Sequence, residues 1–387
     1  MKEKYCKIPK FRFNKFLESW KRLKYEDVIE VNSGKDYKHL EKGDIPVYGT
    51  GGYMLSVSEA ITNKDGVGIG RKGTINKPYI LKAPYWTVDT LFFCIPKNKY
   101  NLYFINAIFE RTQWERFDES TGVPSLSKLT INNIQNYFPS FDEQSAIGSL
   151  FRLLDDLLAS YKDNLANYQS LKATMLSKMF PKAGQTVPEI RLDGFEGEWK
   201  LYELKSRAET ITKGTTPKDK SWQGEVNYIK TESINRDTGS LVRTASTSLD
   251  EHLGYLKRSI LKEDDVLFSI VGTLGVVGIV DKKDLPANTN QQIAIIRLKR
   301  DDAIFMLNFL KSPRIKSFIK SDSTIGAQPS LSLWQIEKIK VSLPPSLEEQ
   351  QAIGTYFSNL DNLIASHQEK ISQLETLKKK LLQDMFI

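Results

Sequence analysis

The feature that most constrains the fold is a segment of about 40 residues that occurs in the middle of the chain and again at its end. Residues 140–181 and 346–387 align without a gap at a constant offset of 206, and 16 of the 38 positions from Glu143 and Glu349 onward are identical. A repeat of this length indicates two similar structural units in one chain. We therefore expect the two halves of the chain to share one plan.

Both copies have the pattern of a long amphipathic helix. Each begins after a proline with Ser-x-x-Glu, which is typical of a capping box that satisfies the first free amides of a helix. Apolar residues then recur at alternating steps of three and four, the heptad pattern of a coiled coil. The positions along which paired helices would meet, called the seam, include Phe151, Leu154, Leu158 and Lys172 in the first copy and Phe357, Leu360, Ile364 and Lys378 in the second.

A lysine interrupts each seam at the same heptad position. Lys172 and Lys378 can fix the register of paired helices, as lone polar seam residues do, or they can extend their ammonium groups into solvent near a helix end. A second apolar stripe widens the apolar face beyond a two-stranded seam. Either the globular parts of the chain or another subunit should pack on this stripe, which contains Leu150, Leu157, Leu171, Tyr356, Leu363 and Leu377.

The segments before the two helices predict two α/β (α+β) domains of unequal length. Each segment opens with Pro-x-x-Arg-x-x-x-Phe-x-x-x-Trp, from Pro9 and from Pro188, and ends with Pro-Ser-Leu-Ser, from Pro124 and from Pro329. Short apolar runs between glycine and proline turns indicate strands, and a helix is expected at 306–320. We therefore predict globular domains at 1–139 and 182–345, with helices at 140–181 and 346–387.

Composition bounds the possible partners and the compartment. The 55 Lys and Arg residues exceed the 47 Asp and Glu residues, and this weak basic excess favours a polyanionic partner. The two cysteines form no disulfide framework, and no signal-peptide pattern is visible, so the sequence suggests the cytoplasm. The longest apolar run, 266–280, is too short for a membrane span and predicts two buried strands around a turn.

No catalytic motif emerges from the sequence. The glycines of 66–70 lack the flanking elements of a nucleotide-binding loop, and the three histidines lack metal-ligand spacing. Asp193, Glu198 and Lys200 resemble the cluster of a Mg²⁺ nuclease, but the first copy breaks that spacing and the neighbouring aromatic residues indicate packing. We therefore predict no catalytic residue, no metal site and no cofactor on this chain.

The whole pattern resembles the specificity (S) subunit of type I restriction-modification systems. The resemblance rests on the motif Glu-Gln-x-Ala-Ile-Gly, at 143–148 and 349–354, and on the repeated Leu-Ser turns at 126–127 and 331–332; it covers essentially the whole chain. It implies two target recognition domains that each read one half of a bipartite, asymmetric site in double-stranded DNA. It also implies that the helices pair antiparallel and, at about 60 Å each, hold the two readers a fixed distance apart.

The resemblance further implies the composition of the assembly. Two AdoMet-dependent methyltransferase (M) subunits would dock on the paired helices, and translocating restriction (R) subunits would join that core. AdoMet, ATP and Mg²⁺ are then expected on the partner subunits only. The chain itself would be a non-catalytic DNA-recognition subunit.

Candidate DNA contacts lie in loops of the two domains. Arg71 and Lys72 lie on a glycine turn from which they can reach phosphates or a guanine edge, although a solvated hairpin tip has the same pattern. Gln291 and Gln292 can form hydrogen bonds with adenine in the major groove, or they can be solvated polar residues at the end of a strand. The candidates are Tyr48, Arg71, Lys72, Gly73 and Thr74 in the first domain and Lys213, Lys218, Lys230, Thr231, Ser233, Thr273, Gln291 and Gln292 in the second.

Other functions also fit the sequence. A structural adaptor could assemble through its coiled coil without touching DNA, and a specificity subunit could serve a related methyltransferase or nuclease that is not of type I. A self-sufficient nuclease would require cleavage by the purified chain with Mg²⁺ alone. The dependence of DNA affinity on salt separates the adaptor from a DNA-binding subunit, because phosphate contacts give a steep negative slope.

Overall fold

The computed structural model describes residues 8–324 and 328–387. The chain divides into two compact units, a first unit of Met1–Lys162 with Glu369–Ile387 and a second unit of Asp163–Gln368. Each long helix contributes one part to each unit, so the four segments expected from the sequence stay a prediction about domain boundaries. Among the helices of the described ranges, none combines the length and the hydropathy needed to cross a membrane.

The first unit is a mixed helix and sheet structure. Its strands are β1 Lys21–Lys24, β2 Ile29–Ser33, β3 Lys42–Gly49, β4 Gly52–Val57, β5 Gly66–Gly70, β6 Tyr79–Leu81, β7 Trp86–Thr87, β8 Leu91–Pro96 and β9 Gln135–Phe138. Its helices are α1 Tyr25–Val28, α2 Leu102–Arg111, α3 Lys128–Asn133, the first part of α4 Phe141–Lys178 and the last part of the C-terminal long helix, with a 3₁₀ turn at Trp114–Phe117.

The second unit follows the same order of elements. Its strands are β10 Lys200–Glu203, β11 Ala208–Lys213, β12 Val226–Ile229, β13 Ser246–Thr247, β14 Val266–Ser269, β15 Val277–Ile279, β16 Ala287–Thr289, β17 Ile293–Leu298 and β18 Lys340–Leu343. Its helices are the last part of α4, α5 Leu204–Arg207, α6 Leu249–Leu253, α7 Ala303–Lys311, α8 Pro313–Asp322, α9 Leu333–Glu337 and the first part of α10 Leu347–Asp384. It also contains 3₁₀ turns at Thr231–Ser233, Lys257–Ser259 and Lys282–Asp284.

Both units contain the same three sheets. The four-stranded sheets have the orders β2-β8-β5-β6 and β11-β17-β14-β15, and the three-stranded sheets have the orders β4-β3-β7 and β13-β12-β16. In each three-stranded sheet the middle strand has one antiparallel and one parallel neighbour. Short sheets of β1 with β9 and of β10 with β18 complete the two sets. The predicted α/β class and the internal repeat are therefore confirmed.

The two long helices run antiparallel beside each other within each unit. In the first unit the rings of Phe151 and Phe386 lie 5.8 Å apart, and Lys378 pairs with Asp155 at 2.5 Å. In the second unit the same contacts recur at the offset of 206, because Phe357 stacks on Phe180 at 6.0 Å and Lys172 pairs with Asp361. The predicted antiparallel coiled coil is confirmed.

The seam lysines form ion pairs in the interior. Lys172 is buried, and its Nζ donates to the Asp361 carboxylate and to the Asp237 carbonyl oxygen. Lys378 contacts Glu110 at 2.6 Å in addition to Asp155. Each lysine thus meets a specific partner at one register, which favours the register-setting role over extension into solvent.

The cores of the units include the helix seams. Phe151 and Leu154 belong to the buried cluster that the four-stranded sheet and α2 form in the first unit. Phe357 and Leu360 have the same place in the second unit, and Leu158 and Ile364 are also buried. These side chains are buried in the chain's own packing, which fits their predicted coiled-coil role and leaves them no exposed surface for a partner subunit.

One predicted helix is in fact two. The segment expected to form a helix at 306–320 ends at Lys311, and a second helix begins at Pro313. Proline has no amide hydrogen and fits the first turn of a helix, whereas inside a helix it breaks the hydrogen bonding. Pro313 therefore starts α8 and separates it from α7.

Candidate nucleic-acid interface

An arginine from each opening motif binds the glutamate at the start of a long helix. Arg12 donates from Nε and Nη2 to the two carboxylate oxygens of Glu143, both at 2.7 Å. Arg191 binds Glu349 in the same way, at 2.8 and 2.7 Å. Both glutamate carboxylates therefore bind arginine instead of closing a capping box, although Ser346 does accept a hydrogen bond from the Glu349 amide. These pairs attach the opening segment of each unit to its helix.

The glutamine and glycine of the motif fix a second helix. Gln144 Oε1 accepts from the amide of Asn101, which caps α2, and Gln350 Oε1 accepts from the amide of Asp302, which caps α7. A Cβ atom on Gly148 would lie 2.4 Å from Asn101 Oδ1, so only glycine allows this approach. The shared motif thus sets the position of the globular part of each unit on its helix.

Three backbone segments of the first unit meet at residues 87–91. The amide of Lys35 donates to Thr87 O at 2.9 Å, the amide of Val88 donates to Tyr48 O at 3.0 Å, and the amide of Arg71 donates to Thr90 O at 2.8 Å. The first-unit junction, as we call this site, therefore brings Tyr48 and the Arg71 loop to one segment. These two candidates were 23 residues apart in the sequence.

The Arg71 loop is held by the repeated Pro-Ser-Leu-Ser turn. The amide of Gly73 donates to Pro124 O at 2.8 Å, and the amide of Leu126 donates to Arg71 O at 2.9 Å. Gly73 has a φ of 94°, a conformation that favours glycine. The side chains of Arg71, Lys72 and Thr74 are exposed on this restrained loop.

The second unit repeats the junction at residues 289–293. The amide of Thr215 donates to Thr289 O at 2.9 Å, and the amide of Ile270 donates to Gln292 O at 2.8 Å. Strand β12 pairs with β16 so that Ile229 faces Thr289, and Lys213 faces Ala294. The second-unit junction therefore brings together the segments that carry the predicted residues Lys213, Lys230, Thr273, Gln291 and Gln292.

The predicted residues of the second unit differ in their access to solvent. Lys213, Lys218, Thr273 and Gln291 are exposed, and Lys230, Thr231 and Gln292 are half-buried. Ser233 is a correction, because it is 0% exposed and its hydroxyl accepts a hydrogen bond from the Lys230 amide and contacts Thr244. A side chain without accessible surface cannot contact DNA, so Ser233 stabilises the turn that carries Lys230.

Two of the lysines lie over aromatic rings. Lys230 Nζ is 3.6 Å from the centre of the Trp222 ring, and Lys218 Nζ is 4.8 Å from the centre of the Tyr255 ring. Such contacts orient an ammonium group without neutralising its charge. Trp222 and Tyr255 thus become positioning residues that the sequence did not single out.

Cations at the two junctions have no acidic partners in the part of the chain that the structure describes. Among the residues that the structure describes, no carboxylate lies within salt-bridge distance of Arg71, Lys72, Lys213, Lys218 or Lys230. Arg71 makes only a 3.5 Å contact to the carbonyl oxygen of Asp89 and lies over Phe92. Unpaired exposed cations of this kind are what phosphate groups neutralise.

Tyr48 belongs to an aromatic cluster at the first-unit junction. Its ring lies 6.3 Å from that of Tyr53 and 6.1 Å from that of Tyr79. Burial raises the pKa of Tyr79, whose hydroxyl donates to Gly49 O at 2.6 Å and supports the hairpin turn. Sequence reasoning missed Tyr53 and Met54, which are exposed just beyond that turn; their position after Gly49–Gly52 was the available signal.

Arg258 is another residue that the sequence did not reveal. It is exposed, and its Nη2 donates to Thr215 Oγ1 at 3.3 Å, which places it beside the second-unit junction. It lies in a 3₁₀ turn 43 residues after Thr215. Only the fold brings these segments together.

Comparisons with known proteins agree with this architecture. The family model described as "Type I restriction modification DNA specificity domain" matches residues 18–167 and 196–376. The chain is 24% identical over 275 residues to the type I restriction enzyme MjaVIII specificity subunit of Methanocaldococcus jannaschii, covering 68% of this chain and 64% of that protein. It thus spans less than two thirds of the length of that relative.

Two further comparisons cover nearly the whole chain. The type I restriction enzyme EcoBI specificity subunit of Escherichia coli is 23% identical over 428 residues, covering 95% of this chain and 86% of that protein. The crystal structure of a type I restriction-modification system S subunit from M. genitalium superposes with a TM-score of 0.69 at 16% identity, over 98% of this chain and 99% of that one. The structural match supports the fold.

Proposed function

Because the chain belongs to the family of type I restriction-modification DNA specificity proteins, we propose that it binds double-stranded DNA sequence-specifically and that each unit reads one half of a bipartite, asymmetric site. The observation that carries this proposal is the repeated junction, in which two of the backbone hydrogen bonds, those of Lys35 and Arg71, recur in the second unit at Thr215 and Ile270, with exposed, unpaired cations in the loops. Such cations supply phosphate contacts, and the neighbouring polar side chains supply contacts to base edges.

The side chains at equivalent places of the two junctions differ. Arg71 and Lys72 of the first unit correspond to Ile270 and Val271 of the second, because each segment makes the same hydrogen bonds to the Pro-Ser-Leu-Ser turn. The amide of Arg71 donates to Thr90 O and the amide of Ile270 donates to Gln292 O, so the preceding residues, Asp89 and Gln291, also correspond. Arginine suits guanine, glutamine suits adenine and aspartate suits cytosine in the major groove. Unlike side chains on one backbone plan support an asymmetric site with two different halves.

We also propose that the long helices dock two M subunits and that R subunits join the assembly. The apolar stripe beside the seam supports this, since Leu157, Leu171, Leu363 and Leu377 are 38–45% exposed on the described chain. Within this proposal the chain is the non-catalytic recognition subunit, and AdoMet, ATP and Mg²⁺ belong to its partners. The fixed spacing of the two half-sites by the helices stays a prediction.

A salt titration of DNA binding tests the recognition function. For a DNA-binding chain, the logarithm of the association constant falls steeply with the logarithm of the salt concentration, and R71A/K72A makes the slope shallower by about 2. The exposed helix lysines 379 and 380 provide a control of equal charge, K379A/K380A, which leaves the slope unchanged. A flat response of the wild type would favour a structural adaptor, and cleavage with Mg²⁺ alone would favour a nuclease.

A further inference from the structure

A pocket of about 540 Å³ lies in the second unit, and none of the candidate DNA-contact residues lines it. It lies between α4, α8 and the turn that contains Arg236. Its lining combines positively charged and apolar side chains, among them Lys172, Arg236, Lys311, Lys316, Leu274 and Ile319. A volume of this size accommodates a small organic molecule.

Positive charge in the pocket exceeds its negative charge. Lys172 pairs with Asp361, but Lys311 Nζ donates only to the carbonyl oxygen of Asp237, at 3.0 Å. The same carbonyl oxygen also accepts from Lys172, at 2.5 Å. In the described part of the chain no carboxylate lies within salt-bridge distance of Lys311. Two ammonium groups therefore share one neutral oxygen.

The equivalent position in the first unit carries the opposite charge. Glu110 on α2 and Lys311 on α7 each lie nine residues after the residue that caps the helix, Asn101 or Asp302. In the first unit the seam lysine, Lys378, contacts both Glu110 and Asp155. The second unit thus has a second cation in place of one of the two carboxylates, and among the described residues no other carboxylate pairs with that cation.

This arrangement is unfavourable without an anion. Burial, together with the charge of Lys172, lowers the pKa of Lys311 to about 7. A bound anion would remove the repulsion and complete the hydrogen bonding of the ammonium groups, each of which has three donors. Arg236 and Lys316 line the pocket with exposed side chains and give an anion a route into it.

We propose that this pocket binds a phosphate monoester, whose phosphate contacts Lys311 and Lys316 and whose apolar part packs on Leu274 and Ile319. A phosphate dianion suits this lining better than a single carboxylate does, because it brings more charge and three strong acceptor oxygens to several cations. The apolar walls leave room for an aromatic or aliphatic group. The site contains none of the proposed DNA contacts, and it adjoins one of them, because Leu274 directly follows Thr273.

Calorimetric titration of the full-length protein tests the proposal with phenyl phosphate, inorganic phosphate and phenol. Phenyl phosphate binds saturably, inorganic phosphate binds more weakly, and phenol does not bind. Lys311→Met and Lys316→Met each weaken phenyl phosphate about tenfold or more, the loss expected for one charge-assisted hydrogen bond. Lys320→Met removes an exposed lysine from the same helix as Lys316 and leaves binding unchanged. Lys316 is itself exposed, so its variant keeps the test valid if Lys311→Met does not fold.

Proton uptake provides an independent measurement. At pH 8 Lys311 is mostly neutral because its pKa is about 7, and a bound phosphate favours the charged amine, so binding takes up as much as about one proton. Titrations in buffers of different ionisation enthalpy measure this uptake. The other charged groups that face Lys311 are Lys172, Arg236, Asp237, Lys316 and Asp361.

Three results would overturn the proposal. The first is the absence of phenyl phosphate binding at millimolar concentration, and the second is equal binding by the wild type and both lysine variants. The third is a requirement for Lys311 in assembly with a partner protein while phosphate compounds fail to bind, since the occupant would then be an acidic segment of that partner. All three results leave the proposed DNA recognition intact, because the pocket variants do not alter the junction loops.

Discussion

At the start of each long helix, an arginine and a glutamate that are far apart in sequence form a buried pair with two hydrogen bonds. Arg191 and Glu349 are 158 residues apart, and the Trp199 indole also donates to Glu349 at 3.3 Å. Removing water from two charges costs free energy, which close bidentate contact offsets. The penalty becomes uncompensated as soon as one partner is lost. These pairs therefore make the attachment of each unit to its helix sensitive to single substitutions.

Arg191→Met should lower the free energy of unfolding by about 3–5 kcal/mol, because it leaves Glu349 buried without a counter-charge. Urea unfolding followed by tryptophan fluorescence measures the loss, and Trp199 reports from beside the site. The exposed pair of Lys205 and Glu337 is the control, and Lys205→Met should cost about 1 kcal/mol or less. Equal effects of the two substitutions would show that the buried pair has no special role.

At the scale of secondary structure, each long helix contains one glycine at the point where a second helix begins. Gly148 faces the cap of α2, and Gly354 faces the cap of α7. A Cβ atom at Gly148 would also lie 3.0 Å from the backbone nitrogen of Phe104, which binds the capping side chain of Asn101. A larger residue must therefore displace the cap, the helix or both.

Gly148→Ala should destabilise the protein by about 1–3 kcal/mol, the usual range for overpacking. The direction of the stability change is informative, because replacing glycine by alanine inside a helix ordinarily stabilises the helix by about 1 kcal/mol. Thermal unfolding of the variant is compared with that of Ala166→Gly, an exposed site on the same helix, which should lose about 1 kcal/mol. A higher melting temperature for Gly148→Ala would contradict the close approach of the two helices.

The apolar stripe on the long helices is the surface proposed above to dock the M subunits. Leu171 and Leu363 are 38% and 41% exposed in the second unit, so Leu171→Lys with Leu363→Lys should change stability by about 0.5 kcal/mol or less. Co-purification with an M subunit should fall strongly, because two charges would enter an apolar contact. Ser170→Lys with Asn359→Lys adds the same charge at exposed polar positions of the same helices and should retain the partner. Retention of the M subunit by both pairs of substitutions would exclude the stripe as its docking surface.

At the scale of the whole molecule, the sequence predicted the elements better than their contacts. The helices follow from the heptad pattern, which depends only on local spacing, and they extend from Phe141 to Lys178 and from Leu347 to Asp384. The glutamates of the expected capping boxes were assigned wrongly, because their arginine partners lie 131 and 158 residues away. A local motif cannot reveal a competing partner that only the fold brings near.

At the candidate interface, too, local sequence predicts which loops matter better than it predicts which of their side chains are exposed. The Arg71 loop was singled out because glycines flank two cations, and the structure leaves those cations exposed. Ser233 was included for its loop position, yet the tertiary packing buries it completely. Arg258 reaches the second-unit junction through its hydrogen bond to Thr215, and Tyr53 reaches the first-unit junction through its ring contact with Tyr48. Whether a polar loop residue faces solvent or the interior therefore depends on packing that its own segment does not encode.

Sequencing of methylated adenines, in cells that contain the chain and the M subunit proposed above, tests most directly whether one chain specifies two unlike half-sites. Wild-type cells are compared with cells that carry R71A/K72A and with cells that lack the chain. The proposed recognition of two half-sites predicts methylation that depends on the chain, at a motif of two different halves with a constant unspecified gap, and relaxation of one half only by R71A/K72A. A continuous motif, or equal relaxation of both halves, would contradict it.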